Sequence, residues 1–249
     1  NEQAVALLKQ AIRAKSVNGD EVEVAKVIAG ALKENGIGYR VVEYAPGRHQ
    51  LVAELKGGPG GKKLGFSGHM DVVDAGESGW DYPPFGASEA DGRIYGRGAC
   101  GLKGGLSAQV AALIKLKQQG CPFDGAIRLL ATVCGESGSM GARQLVKKGH
   151  TIGVGAMIIG EPTANRPVIA QKGALVLRLT TSGRTAHSAQ PATGVNSVEH
   201  MLHLLDDHTE RLNVDNDARE PCSQPTDVIH PLHGRCSRRP EPAKALAHL

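Results

Sequence analysis

The residues of this chain that could do chemistry begin with His69 and Asp71, which follow the apolar run 63–66. A strand that ends in His-x-Asp brings an imidazole and a carboxylate to one edge of a sheet. Imidazole is a common metal ligand, and a neighbouring carboxylate can fix the orientation of the ring by accepting its second N–H. This pair therefore predicts a metal site at the end of a strand.

Three further polar stretches follow predicted strands or turns, at 96–105, 135–138 and 160–163. Each has an ordinary structural explanation when it is taken alone, since an acid before proline, for example, is often a turn residue. Their order and spacing together favour one site that is assembled from several strand ends.

The four stretches resemble the motifs of the M20 family of metallopeptidases and deacylases, the group of acetylornithine deacetylase and succinyl-diaminopimelate desuccinylase. The resemblance runs from the first predicted helix to Leu212 and includes two more motifs, at 91–98 and 186–191. It implies a zinc-peptidase-like α/β fold, with a mixed sheet that carries helices on both faces and a partial α+β lid domain.

The resemblance also implies a role for each site residue. His69 and Glu161 would bind one zinc ion, Glu136 would bind a second, and Asp71 would orient the His69 ring. His187 would reach the active site of a neighbouring subunit and stabilise the oxyanion. Cobalt could replace zinc. The implied reaction is hydrolysis of an amide bond in an N-acyl amino acid or a short peptide.

Two positions depart from the family pattern. Gly101 stands where the family has an aspartate that bridges both metal ions, and Gly135 stands where it has the general-base glutamate. Glycine has no side chain that could bind a metal ion or accept a proton, and losing a positioned base typically lowers the rate by a factor of about 10² to 10⁴. We therefore expect at most one metal ion per chain and strongly impaired hydrolysis.

A third departure concerns the last metal ligand, a histidine near the C-terminus of the family pattern. His233 is a poor match for this ligand because it lies in sequence without a regular apolar period. The sequence thus predicts an apparently truncated C-terminus. It also leaves open a non-catalytic fragment that binds one metal ion or a small acylated amino acid, and an incomplete chain that pairs with another through exposed sheet.

Apolar periodicity and turn residues predict the elements that position these residues. Helices are predicted over 4–15, 20–36, 104–120, 140–148 and 198–212, and strands over 39–44, 51–55, 64–67, 126–133, 156–159, 168–171 and 175–179, with a glycine-rich turn at 57–61. Three segments follow: a catalytic, metal-binding α/β domain at 1–173, the first half of a lid or dimerisation domain at 174–212, and an irregular, proline-rich tail at 213–249.

Two other sites remain open on the sequence alone. Gly96, Gly98 and Gly101 form a Gly-x-Gly-x-x-Gly match for a dinucleotide site, but no buried strand precedes it. Cys100 and Cys134 adjoin the two altered positions and could bind zinc, although inert thiols are the simpler interpretation. The histidines of the last predicted helix form no regular metal-binding face, and they are His200, His203 and His208.

Composition limits the classes of function. The aromatic content of 3% leaves little to stack on nucleic-acid bases, and no apolar run is long enough for a membrane-spanning helix. The five cysteines contain no C-x-x-C pair, which predicts reduced thiols. We expect a cytoplasmic protein that acts on a small molecule, without nucleic-acid or membrane partners, and that forms a homodimer through the lid domain.

Overall fold

The computed structural model describes residues 2–77, 79–170, 178–214, 230–235 and 244–248. The chain divides into two compact units, Asn1–Pro167 and Val168–Leu249. Five α-helices are described, and they are α1 (Glu2–Arg13), α2 (Val22–Glu34), α3 (Leu102–Gln118), α4 (Met140–Lys147) and α5 (Ser197–Val214). The described strands are β1 (Tyr39–Ala45), β2 (Arg48–Lys56), β3 (Gly58–His69), β4 (Ser88–Ala90), β5 (Arg93–Tyr95), β6 (Asp124–Thr132), β7 (Val154–Ile159), β8 (Arg178–Ser182), β9 (His230–Arg235) and β10 (Lys244–His248).

The first unit is built on a five-stranded sheet with the order β1-β2-β6-β3-β7. The pairs β1/β2 and β2/β6 are antiparallel, whereas β3 runs parallel to both β6 and β7. The sheet is therefore mixed, as the sequence predicts. Strands β4 and β5 form a separate two-stranded hairpin.

Helices cover both faces of this sheet. Helices α1, α2 and α3 pack over a core that includes Leu51 and Leu129, while Leu145 of α4 packs against Val52 and Leu130. Successive strand residues point to opposite faces, so the adjacent apolar residues of β2 and β6 serve two separate cores. The predicted α/β fold with helices on both faces is confirmed.

The glycine-rich stretch 57–61 differs from its prediction as a turn. Strand β3 already begins at Gly58, which pairs with Asp124, and the register shifts before Lys63. A Cβ on Gly57 would lie 2.0 Å from the carbonyl oxygen of Phe123. Glycine is needed here because two backbones approach each other closely, so the local turn signal is misleading.

The second unit contains a three-stranded antiparallel sheet with the order β8-β10-β9, and α5 contacts it. The prediction of an irregular tail at 213–249 is wrong for 230–235 and 244–248, which are strands. Their partners are distant in sequence, so local periodicity does not reveal them. The rest of the tail after Val214 lies outside the described residues.

The strand prediction at 168–171 is also wrong over 168–170, which have no regular structure. Residues 171–177 lie outside the described part of the chain. Of the strand predicted at 175–179, only Arg178 and Leu179 are described, and both belong to β8.

Among the helices that the structure describes, none combines the length and apolarity needed to cross a membrane.

Candidate functional site

The carboxyl ends of the parallel strands bring the predicted site segments to one edge of the sheet. His69 is the last residue of β3 and pairs with Thr132, the last residue of β6. Ile159 ends β7 and pairs with Ser67 of β3. The segments that begin at Gly135 and Gly160 leave this same edge, which is where sites of open α/β sheets are found.

The His69 ring is held in one orientation by Asp71. Its Nδ1 lies 2.9 Å from the Asp71 carbonyl oxygen and 3.2 Å from Asp71 Oδ1. Both oxygens are acceptors, so Nδ1 carries a proton and Nε2 is left as the nitrogen that can bind a ligand. Burial lowers the pKa of His69, but its hydrogen bond and charge interaction with Asp71, assisted by Glu136, raise that pKa above its usual value.

Asp71 also fixes the loop that follows β6. Its carboxylate is 1% exposed and accepts hydrogen bonds from the backbone N–H groups of Gly135 (2.8 Å) and Glu136 (3.0 Å). Burial raises the pKa of Asp71, but the hydrogen bonds from His69 and from these two N–H groups outweigh it and hold the pKa below its usual value. Asp71 therefore stays ionised and joins the ends of β3 and β6.

The three predicted metal ligands are not gathered into one coordination set. Glu136 and Glu161 are exposed, whereas the His69 side chain is 17% exposed. Across the described residues, no group of three or more His, Cys, Asp or Glu side chains could hold a metal ion. The donors present, with glycine at positions 101 and 135, do not fit a binuclear metal centre.

Gly101 and Gly135 have different surroundings. An ideal Cβ on Gly135 would lie 2.0 Å from Cγ and 2.1 Å from Cδ2 of His69, so the imidazole fills the space of a side chain there. Gly101 is the N-cap of α3 and has no side-chain cap, and the nearest atoms to its Cβ direction are those of Gly98 at 3.9 Å. A side chain fits at position 101 but not at position 135.

Lys103 is a buried residue of this region that the sequence analysis did not single out. Its side chain is 1% exposed, and Nζ donates hydrogen bonds to the carbonyl oxygens of Ala11 (2.7 Å) and Ala14 (3.1 Å) at the end of α1. Burial lowers the pKa of Lys103 to about 8. Helical spacing in the sequence could have identified Lys103 as buried, because positions 103, 106 and 110 share the buried face of α3.

A close contact between two glycines sets the distance between α3 and the end of β7. A Cβ on Gly105 would lie 2.0 Å from the carbonyl oxygen of Gly160. The backbone of the helix can therefore approach the residue that precedes Glu161. This contact places the start of α3 beside the segment that carries Glu161.

The structure also describes the remaining candidates of the sequence analysis. Cys100 is exposed and Cys134 is buried, so the two thiols occupy different environments. Gly96–Gly101 follow β5 of the small hairpin rather than a strand of the central sheet, which disagrees with a dinucleotide-binding βαβ unit. His187 lies in the second unit, where its Nδ1 accepts a hydrogen bond from the N–H of Ala189 (3.2 Å).

Sequence comparison decides the family. Residues 65–227 match the profile of peptidase family M20/M25/M40. This chain belongs to that family. A probable succinyl-diaminopimelate desuccinylase of Staphylococcus epidermidis is 39% identical to this M20 chain over 204 residues, which are 82% of the chain and 50% of the relative. A succinyl-diaminopimelate desuccinylase of Gluconacetobacter diazotrophicus is 34% identical over 221 residues, covering 84% of the chain and 56% of the relative.

Solved structures of M20 proteins have the same fold. An M20 family metallo-carboxypeptidase of Sulfolobus solfataricus aligns with a TM-score of 0.72 and 18% identity, over 99% of this chain and 70% of its own. A dinuclear metal-binding M20 peptidase of Bacillus subtilis aligns with a TM-score of 0.57 and 18% identity, over 99% and 62%. The M20 chain described here spans about half the length of the curated relatives it matches.

Proposed function

We propose that this protein is an M20-type hydrolase of the amide bond in N-acyl amino acids or short peptides, and that this chain has strongly impaired hydrolytic activity. The observation that supports impaired activity is that the His69 ring occupies the space that a side chain at position 135 would need. The names of the relatives support the substrate class, because two of them are described as succinyl-diaminopimelate desuccinylases.

The side chains that remain support a weak metal site at most. His69 would contribute Nε2, with its ring held in position by Asp71, and Glu161 would contribute a carboxylate. Glu136 would face these two ligands from the other side of the site. Catalytic zinc sites normally have three protein ligands, and Gly101 supplies none. We therefore expect at most one zinc ion per chain, with cobalt as a possible replacement.

The second unit supports a separate part of the proposal. Its antiparallel sheet and α5 would belong to a lid domain through which two copies of the chain pair, with His187 as the residue that completes the partner's site. The limits of the first two segments, 1–173 and 174–212, remain part of this proposal, whereas the strands β9 and β10 of the tail 213–249 share one sheet with β8. A cytoplasmic location, without nucleic-acid or membrane partners, is also part of this proposal.

Metal analysis combined with a turnover assay tests the proposal. After dialysis we expect at most one zinc ion per chain by mass spectrometry, and no hydrolysis of N-acetyl or N-succinyl amino acids above background. The Staphylococcus epidermidis relative serves as the positive control for the assay. Two tightly bound zinc ions with turnover like that of the relative would overturn the proposal.

Restoring the altered side chains tests the cause of the impairment. The double variant Gly101→Asp, Gly135→Glu should recover only part of the activity, because a side chain at position 135 displaces the His69 ring and the last metal ligand of the family has no good match in this chain. Full recovery would show that the remaining donors are sufficient.

The intact His69–Asp71 pair favours a second candidate function, the binding of one metal ion or one acylated amino acid without turnover. A ligand that binds only the folded state must raise its stability. We expect added zinc to raise the melting temperature of the wild-type chain and to have less effect on His69→Ala. An unchanged melting temperature in the wild type would exclude the metal-binding form of this candidate.

A further inference from the structure

A cationic cleft lies in the first unit, away from the strand ends that carry His69. Its volume is about 580 Å³, and it is bordered by β1, by the middle of β2 and β6, and by the loop that follows α4. This volume falls within the range of small-molecule sites, which is about 300 to 1,000 Å³. The charged side chains that line it are Arg40, Lys56, Arg128, Lys148 and Glu54.

The one carboxylate of the lining is already neutralised. Glu54 accepts a hydrogen bond from Nε of Arg128 (2.8 Å) and forms an ion pair with Lys63 (3.0 Å). Burial raises the pKa of Glu54, but the hydrogen bonds from Lys63 and Arg128 outweigh it and leave the pKa lowered. Glu54 therefore pairs with both Arg128 and Lys63 and does not compensate the other cations of the cleft.

Those other cations have no acidic partner in the described part of the chain. The ion pairs found there include neither Arg40, Lys56 nor Lys148. Nζ of Lys148 donates only to the uncharged carbonyl oxygen of Glu43, at 3.2 Å. Three positive side chains thus surround one cleft without a compensating carboxylate.

His150 also lines the cleft, and its pKa responds to the same positive charges. Its carbonyl oxygen accepts a hydrogen bond from Nη1 of Arg128 (2.7 Å), which fixes the loop after α4 against β6. Burial lowers the pKa of His150, and the charges of Arg128, Arg40 and Lys148 lower it further. A neutral imidazole at physiological pH can both donate to and accept from a bound molecule.

The cleft is separate from the candidate catalytic region. Arg128 pairs with Gly65, four residues before the Thr132–His69 pair on the same two strands. At a rise of about 3.3 Å per residue, this places the two regions about 13 Å apart along the sheet. A ligand in the cleft therefore occupies a different part of the surface from one at His69.

We propose that this cleft binds a small multivalent oxyanion, a molecule that carries either phosphate groups or several carboxylates. Arg40 can form paired hydrogen bonds to two oxygens of such an anion, and Lys56 and Lys148 add compact charges. The side chains of Arg40 and Lys148 are exposed, so they can reach a ligand without unfolding any element.

Calorimetric titration of the whole chain with pyrophosphate and with citrate tests this proposal, at an ionic strength of about 0.1 M where diffuse attraction is screened. We expect saturable binding of one molecule per chain. Arg40→Gln and Lys148→Gln should each weaken it by about tenfold or more, as expected for loss of a charge-assisted hydrogen bond. Preference for pyrophosphate assigns a phosphate ligand, and preference for citrate assigns a polycarboxylate.

Lys147→Gln is the matched control, because Lys147 is the exposed neighbour of Lys148 and does not line the cleft. This variant has the same change in net charge and should bind like the wild type. The imidazole resonances of His150 should shift on titration, and thermal melts should show that all three variants are folded. No saturable binding of either anion, or equal weakening by Lys147→Gln, would overturn the proposal.

Discussion

The imidazole of His69 fills the space into which a side chain at Gly135 would project, since an ideal Cβ at position 135 would lie 2.0 Å from Cγ of His69. The glycine at position 135 and the position of the candidate metal ligand His69 are therefore one structural feature. Restoring a glutamate at 135 requires the ring to move, and moving the ring changes its hydrogen bonds to Asp71.

Gly135→Ala should destabilise the protein, because even one methyl group collides with the His69 ring. We expect the free energy of unfolding to fall by about 1 to 3 kcal/mol, the usual cost of overpacking. Urea denaturation measures the change. Gly38→Ala is the control, because no atom lies within 4 Å of its Cβ direction and it should be close to neutral. Equal stabilities of wild type and Gly135→Ala would contradict the observed ring position.

Gly101→Asp should stabilise the protein by about 0.5 kcal/mol, because the new carboxylate can cap α3 and the space there is open. Gly101→Asn provides the same cap without a charge. Thermal melts of the two variants with and without zinc separate capping from metal binding. Zinc should raise the melting temperature of Gly101→Asp by more than that of Gly101→Asn, and an equal response would count against a metal site at position 101.

Asp71→Asn should destabilise the protein by about 1.5 to 3 kcal/mol, the range for hydrogen bonds to a charged group. The N–H groups of Gly135 and Glu136 donate to different oxygens of Asp71, and asparagine would present an NH2 donor in place of one of these acceptors. The pKa of Asp71 is lowered on folding, so its contribution is present above the unfolded pKa of about 3.8 and is lost as the pH falls through the folded value.

Denaturation of wild type and Asp71→Asn at several pH values measures this effect. The difference in stability between them should be large at pH 6 and should shrink in acid. A difference that does not change with pH would show that the charge of Asp71 is unimportant for the loop.

Lys103 should make stability rise with pH on the alkaline side. Its folded pKa is about 8, against about 10.5 in the unfolded chain, so between these values the unfolded state binds one more proton than the folded state. The free energy of unfolding should therefore increase from about pH 8 to pH 10.5. Comparison with Lys103→Met separates the contribution of Lys103 from those of other titrating groups. Parallel curves of unfolding free energy against pH for the two proteins would refute the prediction.

Gly105→Ala should be strongly destabilising, at about 3 kcal/mol or more, because its Cβ would lie 2.0 Å from the carbonyl oxygen of Gly160, and this backbone atom cannot rotate away as a side chain can. Gly30→Ala is the matched helical control. Nothing lies within 4 Å of its Cβ direction, so the better helix propensity of alanine should raise stability by up to about 1 kcal/mol. Destabilisation of similar size in both variants would mean that the contact with Gly160 is unimportant.

Much of the first unit could be predicted because its signals are local. The apolar spacing in α2 and α3 follows the helical period, and the strand β6 lies between clear turn signals. The short strands β4 and β5 and the strands of the tail were missed, since their pairing partners rather than their own sequence determine them.

The sequence by itself determined the family, through motifs that contain His69, Glu136 and Glu161, and it places glycine at positions 101 and 135. Side-chain type at a given position is a property of the sequence, so these observations needed no structure. Only the tertiary structure decided that the His69 ring occupies the space at Gly135, that Asp71 binds the loop after β6, and that Lys103 is buried. These facts depend on the distances between chain segments far apart in sequence, which local patterns do not encode.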